Sequence, residues 1–259
     1  MAELDQRYCA DCFKSVRHDG IPSGSIDRVA GVECYIAEPT GEYAREKAIL
    51  FLTDAYGHKF LNNQLLADDY ARNGFHVVMP DLFPGDAVPS FVPADASISK
   101  EEFDIMAWVG RHPPETVEGI VAQVVTALAG RGIARLAGVG FCFGARIAID
   151  LALNGRISVC AVSHPSFWKV PEDIERYYTQ ADAPLLINSC ETDAMFPKEA
   201  QEKTDAILGG GRFAPGYART YWEGCTHGFA VRGDMDDPRV RAGKEGAFRV
   251  TVEFLREHL

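Results

Sequence analysis

The chain has 259 residues, of which 47% are hydrophobic and 24% charged, and its formal net charge is −11. This size predicts one α/β domain over residues 1–259, with residues 1–25 as an N-terminal arm. The acidic balance argues against nucleic acid or an anionic membrane as a partner. We also expect no signal peptide and no bilayer-spanning segment, and the scattered cysteines favour a reducing, cytoplasmic setting.

The expected arm contains Cys9 and Cys12, which form a C-x-x-C pair. A zinc ribbon needs a second cysteine pair at matching spacing, and a redox motif of this type sits in a βαβ unit. Neither surrounds this pair, so we expect no metal here and interpret the segment as a docked arm.

The first half of the chain predicts two short antiparallel strands and then the first units of a parallel sheet. The strands cover residues 26–29 and 32–37. Residues 47–53 form a near-continuous apolar run, which is typical of a strand buried on both faces. A helix over 62–72 and a buried strand over 75–79 follow.

The second half continues the alternation. Residues 84–112 lack clear periodicity and predict an irregular excursion over the top of the sheet, followed by a helix over 115–128. Three further strands are predicted over 157–162, 184–190 and 218–222, with helices over 197–208 and 239–257. Alternating strands and helices of this kind predict a mostly parallel, doubly wound α/β sheet with flanking helices.

The stretch Gly-Phe-Cys-Phe-Gly at 140–144 lies between an apolar strand and an amphipathic helix. Strand, sharp turn and helix are the context of a nucleophile elbow, whose flanking glycines avoid clashes in a strained turn. The nucleophile would be Cys142, where the motif usually has serine. A thiol ionises more easily than a hydroxyl, and a helix N-terminus lowers its pKa further. By itself the motif is equally compatible with a small buried cysteine.

Two more residues make the catalytic interpretation specific. Asp193 and His227 each follow a predicted strand, and with Cys142 they give the order nucleophile, acid, histidine. Ligands of such sheets bind beyond the carboxyl ends of the strands. We therefore predict that His227 is the base and that Asp193 orients it. His58 and His164 are rival bases; we expect His58 to border the site, and His164 precedes the acid, contrary to this order.

Acyl transfer also needs donors for the developing oxyanion. We expect the backbone N–H groups of Phe143, directly after the nucleophile, and of Ala55, in the loop after the strand over 47–53. No metal and no other cofactor is expected.

In these same residues the chain resembles the dienelactone hydrolases (carboxymethylenebutenolidases). The elbow, Asp193 and His227 match that family, and residues 54–57 and 79–83 fit its fungal members in particular. The resemblance runs from near residue 20 to the end of the chain. It implies an α/β-hydrolase fold of about eight strands with little or no cap, no cofactor, and hydrolysis of an unsaturated lactone or related ester.

Two departures concern the substrate. Bacterial members use a glutamate to hold and activate the thiol, where this chain has Asp54, and two arginines to bind a substrate carboxylate. Arg232 corresponds to one arginine at a spacing one residue longer, and the other position, within 84–86, has no arginine. The resemblance thus implies that Asp54, Tyr56 and Arg232 bind the substrate or activate the thiol. Arg232 as a solvated surface residue remains an equal alternative.

Alternatives of different classes stay open. The same triad could cleave a polyketide-type acyl thioester if aromatic residues form a larger pocket, and the candidates for it are Phe91, Phe103, Trp108, Phe167 and Trp168. A non-catalytic ligand-binding or thiol-sensing protein on the same fold is a further alternative. A small-molecule ester or lactone is the expected partner, and the protein is expected to be a monomer or a homodimer.

Overall fold

The computed structural model describes residues 16–90 and 102–259. The Cys9/Cys12 pair and residues 1–15 of the expected arm lie outside these ranges. In chain order the described elements are β1 (Ser25–Val29), β2 (Val32–Ala37), β3 (Lys47–Leu52), α1 (Leu61–Arg72), β4 (Val77–Pro80), α2 (Ile105–Arg111), α3 (Pro114–Gly130), β5 (Arg135–Phe141), α4 (Phe143–Leu153), β6 (Val159–Ser163), α5 (Glu172–Gln180), β7 (Leu185–Thr192), α6 (Lys198–Leu208), β8 (Tyr217–Thr226), α7 (Phe229–Arg232) and α8 (Pro238–His258).

The strands of the described chain form one eight-stranded sheet in the order β1-β2-β4-β3-β5-β6-β7-β8. β1 pairs antiparallel with β2, and β2 with β4, whereas every pairing from β4 to β8 is parallel. The predicted mostly parallel α/β sheet is therefore confirmed.

The sheet is covered on both faces, as the continuous apolar runs predict. Along β3, Leu50 and Leu52 pack into the core on one face, together with residues of α3 and α4. Ile49 and Phe51 pack into the core on the opposite face, together with residues of α1 and α8. Side chains of a strand alternate between faces, so one strand contributes to both cores.

The order of the strands creates a switch point between β3 and β5. The chain moves from β3 to β4 on one side, and then returns to place β5 on the other side of β3. At such a point the loops after neighbouring strands diverge and leave a crevice at their carboxyl ends. The loop after β3 and the turn after β5 meet at this crevice.

Three of the described helices were missed by the sequence interpretation, α2, α5 and the four-residue α7. α2 lies within the stretch 84–112, which was expected to be irregular; it has seven residues, begins at Asp104 as N-cap, and buries only Trp108. α5 lies between β6 and β7 and buries only Asp173, Ile174 and Tyr177. All three are short, with seven, nine and four residues, so a helical period has fewer than three turns in which to appear.

Residues 16–24, the described end of the expected arm, are docked against the body of the protein. Val16 is buried, and the Arg17 side chain pairs with Asp69 at 2.7 Å. Asp68, also on α1, accepts hydrogen bonds from the Ser23 N–H and the Tyr35 hydroxyl, both at 2.6 Å. No helix in the described ranges is both long and apolar enough to cross a bilayer.

Candidate active site

Cys142 occupies the sharp turn between β5 and α4, with φ 49° and ψ −109°. This left-handed backbone is unfavourable for a residue with a Cβ and persists only where the surroundings enforce it. The Cys142 N–H donates to Ser163 O at 3.2 Å, and the Gly144 N–H donates to Thr53 O at 3.0 Å. A Cβ on Gly140 would lie 2.7 Å from Gly144 O, so glycine permits this close packing.

His227 and Asp193 are in direct contact although they follow different strands. His227 comes directly after β8, and its Nδ1 lies 2.9 Å from Asp193 Oδ1. The same carboxylate oxygen accepts the N–H groups of Met195 at 2.9 Å and Phe196 at 3.2 Å. Asp193 is buried and held in place, so it fixes Nδ1 as the protonated nitrogen and leaves Nε2 directed away from the carboxylate.

The electrostatics of Cys142 and His227 favour a thiolate–imidazolium pair. Burial alone would raise the pKa of the Cys142 thiol, but the charge of His227 and its hydrogen bond outweigh that effect, so the pKa is lowered. Burial likewise opposes the charged form of His227, yet the Cys142 thiolate and the Asp193 carboxylate raise its pKa. Each charged partner therefore stabilises the other.

The two predicted oxyanion donors come from loops that lie side by side. Phe143 is the first residue of α4, so its N–H has no acceptor within the helix. Ala55 lies in the loop after β3, and the hydrogen bond from the Gly144 N–H to Thr53 O holds that loop against the elbow. The arrangement can present both N–H groups to one carbonyl oxygen beside Cys142.

The Arg232 side chain is only 9% exposed, so it is not the solvated surface residue of the alternative interpretation. Its Nε donates to Asp54 Oδ2 at 2.8 Å, and its guanidinium lies 4.5 Å from the ring centroid of Tyr56. The other Asp54 oxygen accepts the Tyr56 N–H at 3.2 Å and the Asn63 side chain at 3.0 Å. Among the described residues, the buried Arg232 Nη1 has no hydrogen-bond partner.

The carboxylate of Asp54 binds the Arg232 guanidinium and does not help the Cys142 thiol to ionise. Both of its oxygens are engaged by the hydrogen bonds above, and its charge raises the pKa of Cys142, against the effect of His227. A carboxylate that activated the thiol by charge alone would do the opposite. The geometry therefore favours Asp54 as the residue that orients the guanidinium.

Ser166 and His164, in the loop after β6, also lie at the site. Ser166 Oγ is 3.4 Å from Cys142 Sγ and 3.4 Å from His227 Nε2, a proximity that sequence reasoning missed. His164 is fully buried, its ring centroid is 5.0 Å from that of His227, and burial keeps its pKa well below the usual value. Its only sequence signal was its position directly after a strand.

The aromatic residues considered for a large pocket differ in position. Trp108 and Trp168 are buried core residues whose indole N–H groups donate to Asp86 O at 2.6 Å and Ala145 O at 3.1 Å. Phe103 and Phe167 are only partly buried and pack against the same core, and Phe91 lies outside the described residues.

Among the residues that the structure describes, Glu33, His58 and Asp81 form a cluster with metal-ligand chemistry. Ligand atoms of Glu33, His58 and Asp81 lie within 4.8 Å of one another, beside a cavity of about 330 Å³ that Glu33 and Asp81 line. However, Lys59 Nζ lies 2.7 Å from Glu33, and the two His58 nitrogens lie 3.0 Å from Glu33 and 3.3 Å from Asp81. These contacts already compensate the carboxylates, so the cluster needs no ion.

Comparison with known proteins relates the whole chain to one group. A sequence model of the dienelactone hydrolase family matches residues 32–259. The chain is 34% identical to "Hydrolase tropI" of Talaromyces stipitatus, covering 100% of this chain and 99% of that protein. It is 30% identical to "Dienlactone hydrolase 1" of Gibberella moniliformis, covering 94% of this chain and 91% of that protein.

A solved structure agrees with the fold. The crystal structure of a dienelactone hydrolase from Anabaena variabilis superposes with a TM-score of 0.61, covering 92% of this chain and 97% of that one. The two sequences are 12% identical, so this likeness concerns the fold alone.

Proposed function

Because this chain belongs to the dienelactone hydrolase family and is therefore an ester or lactone hydrolase, we propose that it acts on a small unsaturated lactone or ester through a covalent acyl-enzyme. The nucleophile is Cys142, the base is His227, and Asp193 orients the base. The observation that carries the proposal is the strained Cys142 elbow beside a histidine whose Nδ1 is held by Asp193 at 2.9 Å.

Acylation begins from the thiolate–imidazolium pair. The Cys142 thiolate attacks the carbonyl carbon, and the N–H groups of Phe143 and Ala55 stabilise the oxyanion that forms. When the intermediate collapses, the C–O bond breaks and His227 gives its Nε2 proton to the leaving oxygen. In a lactone the leaving oxygen stays attached to the acyl group, so the ring opens on the enzyme.

Deacylation uses the same groups in reverse order. Neutral His227 takes a proton from water, and the hydroxide attacks the thioester carbon at the same oxyanion site. Collapse breaks the C–S bond, restores the thiolate beside the imidazolium, and releases the product acid, which ionises in solvent. Asp193 keeps Nδ1 protonated throughout, so Nε2 remains the nitrogen that exchanges protons.

Arg232 supports recognition of a negatively charged substrate. Its Nη1 is buried without a partner among the described residues, and the Cys142 thiolate is one of the charges that raise the pKa of the Arg232 guanidinium. A substrate carboxylate bound to Nη1 would satisfy that donor in a charge-assisted hydrogen bond. Asp54 and the Tyr56 ring hold the guanidinium in place. A lactone that bears a carboxylate is the substrate class that fits these contacts.

The acyl-thioester alternative has less support from the described residues. Two of the aromatic side chains considered for a large pocket, Trp108 and Trp168, are buried in the core and donate to backbone carbonyls, so they are not available to line an open acyl channel.

Intact-protein mass spectrometry after brief mixing tests the proposal. The panel is a dienelactone, a p-nitrophenyl ester and a medium-chain acyl thioester, each added to wild type and to Cys142→Ala. We expect an acyl adduct on wild type alone, fastest turnover of the dienelactone, and loss of nearly all turnover in the variant. Equal turnover by both proteins would overturn the mechanism, and fastest turnover of the thioester would favour the alternative substrate.

A further inference from the structure

Ser166 touches both members of the reactive pair. Its Oγ lies 3.4 Å from Cys142 Sγ and 3.4 Å from His227 Nε2, and the side chain is buried, with 2% of the residue exposed. A serine hydroxyl has one donor proton and two acceptor lone pairs. It can therefore donate to a thiolate and accept from an imidazolium N–H at the same time.

The loop that carries Ser166 is fixed in an unfavourable conformation. His164 and Phe167 have φ values of 39° and 62°, both in the left-handed region. The loop is held by the His164 N–H, which donates to Asn188 O at 2.9 Å, and by the Ser166 N–H, which donates to Cys142 O at 3.1 Å. Strained residues persist where surrounding contacts enforce them, commonly at functional sites. Here the strain brings one hydroxyl to the nucleophile.

We propose that Ser166 is a positioning residue that holds Cys142 and His227 as an aligned thiolate–imidazolium pair; this inference rests on the proposed function. The hydroxyl donates to Sγ and accepts from Nε2–H, and it keeps its own proton in the resting pair. It fixes the side-chain rotamer of Cys142 and the orientation of the His227 Nε2–H beside the thiolate.

The other groups around this pair do not supply the same contact. Asp193 holds the opposite nitrogen of His227, and Asp54 is paired with Arg232. The charge of Asp54 raises the pKa of Cys142, and the Cys142 thiolate raises the pKa of Arg232. His164 packs its ring against His227, and Tyr56 packs against Arg232. Removal of the Ser166 hydroxyl therefore changes the solvation of the thiolate and leaves these charges in place.

The test measures ionisation of Cys142 without requiring a substrate. Iodoacetamide alkylation is followed as a function of pH on the tryptic peptide 136–146, whose only cysteine is Cys142. In Ser166→Ala we expect the apparent pKa of Cys142 to rise by about one unit, so that alkylation below that pKa slows about tenfold, because a hydrogen bond to an anion is lost. The acid limb of kcat/KM should move by the same amount.

Two further variants separate positioning from a general structural effect. Ser166→Thr keeps the hydroxyl, so Cys142 in this variant should titrate as it does in wild type. Ser163→Ala removes a nearby buried hydroxyl that contacts Asn188 Nδ2 at 3.2 Å, and it should titrate as wild type. Thermal unfolding is recorded for each variant. A wild-type titration in Ser166→Ala, or the same shift in Ser163→Ala, would overturn the inference.

This experiment also distinguishes the inference from the proposed function. If the protein hydrolyses none of the test substrates but Ser166→Ala shifts the titration, the proposed substrate class fails and the role of Ser166 stands. If hydrolysis proceeds through Cys142 and the titration is unchanged, only the role of Ser166 fails.

Discussion

At the scale of single residues, the ionisation of Cys142 decides how the site can react. A thiol at this turn would be a weak nucleophile if it were protonated. His227 lowers the pKa of Cys142 against the opposing effect of burial, and the thiolate raises the pKa of His227 in return. In such a pair, loss of activity on the acid side follows protonation of the thiolate.

The pH dependence of kcat/KM for a neutral ester should reflect both shifts. Because the pKa of Cys142 is lowered, the thiolate is present above that pKa and is lost as the pH falls through it. Because the pKa of His227 is raised, the imidazolium is present below that pKa and is lost as the pH rises through it. We expect a bell-shaped pH profile. The midpoint of its acid side should lie below about 8.5, the ordinary pKa of cysteine, and the midpoint of its basic side above about 6.5, the ordinary pKa of histidine.

Steady-state kinetics over the accessible pH range would check this expectation. Cys142→Ser is the control, because its hydroxyl does not ionise in that range and its residual activity should follow His227 alone. An acid limb for wild type at the ordinary cysteine pKa would contradict the ion pair.

The Arg232–Asp54 pair gives a prediction about substrate charge. Removing Arg232 alone would leave Asp54 buried and uncompensated, so we pair Arg232→Met with Asp54→Asn. For a lactone that bears a carboxylate, we expect the KM of the double variant to rise about tenfold or more, because a charge-assisted contact is lost. For a neutral ester of similar size the KM should stay nearly unchanged. An equal rise in KM for both substrates would show that Arg232 and Asp54 do not distinguish a charged substrate from a neutral one.

At the scale of elements, the junction of β3, β5 and α4 depends on close backbone packing. Gly144 lies where a Cβ would run into the carbonyl groups of Leu52 and Thr53 at the end of β3. Those carbonyls belong to backbone and cannot swing aside as a flexible side chain can. The elbow therefore requires glycine for space, and Cys142 keeps its strained φ because the junction holds it.

Gly144→Ala should consequently lower the free energy of unfolding by about 1–3 kcal/mol or more and strongly reduce alkylation of Cys142. The matched control is Gly119→Ala in α3, where nothing lies within 4 Å of the added Cβ and the helix favours alanine. That variant should be more stable by about 0.5–1 kcal/mol. Urea unfolding measures both, and similar stabilities for the two variants would contradict the packing argument.

At the scale of the whole molecule, buried polar contacts join segments that are distant in the chain. Asp68 on α1 accepts from the Tyr35 hydroxyl of β2 and from the Ser23 and Gly24 N–H groups, and it also contacts Arg17. One carboxylate thereby attaches residues 17–24 to the sheet and to a helix. Burial and the hydrogen bond to Asp68 raise the pKa of Tyr35, so the Tyr35 hydroxyl stays protonated and remains a donor.

Asp68→Asn should destabilise the protein by about 1–3 kcal/mol, because the amide NH2 would face donors and lose buried hydrogen bonds. Asp27→Asn, on exposed β1, should change the stability by less than about 0.5 kcal/mol. Urea unfolding of both variants checks the difference. If Asp68→Asn matched wild type, the attachment of residues 17–24 would not depend on this carboxylate.

The sequence by itself determined the elements that depend on local patterns. Continuous apolar runs identified the buried parallel strands, and a glycine-flanked cysteine between strand and helix identified the turn at Cys142. Chain order then placed Asp193 and His227 after later strands of the same sheet, and the two are in contact; their catalytic roles stay predictions. The sequence interpretation missed α2, α5 and α7 because they have only seven, nine and four residues, too few to establish a helical period.

Only the tertiary structure decided which distant residues meet at the crevice. Arg232 pairs with Asp54 across 178 positions of sequence, and Ser166 reaches His227 across 61. No local period encodes such pairs, because they depend on the strand order that brings the loops after β3, β6 and β8 to the elbow after β5. The low exposure of the Arg232 side chain, 9%, and the position of the Ser166 loop follow from that order.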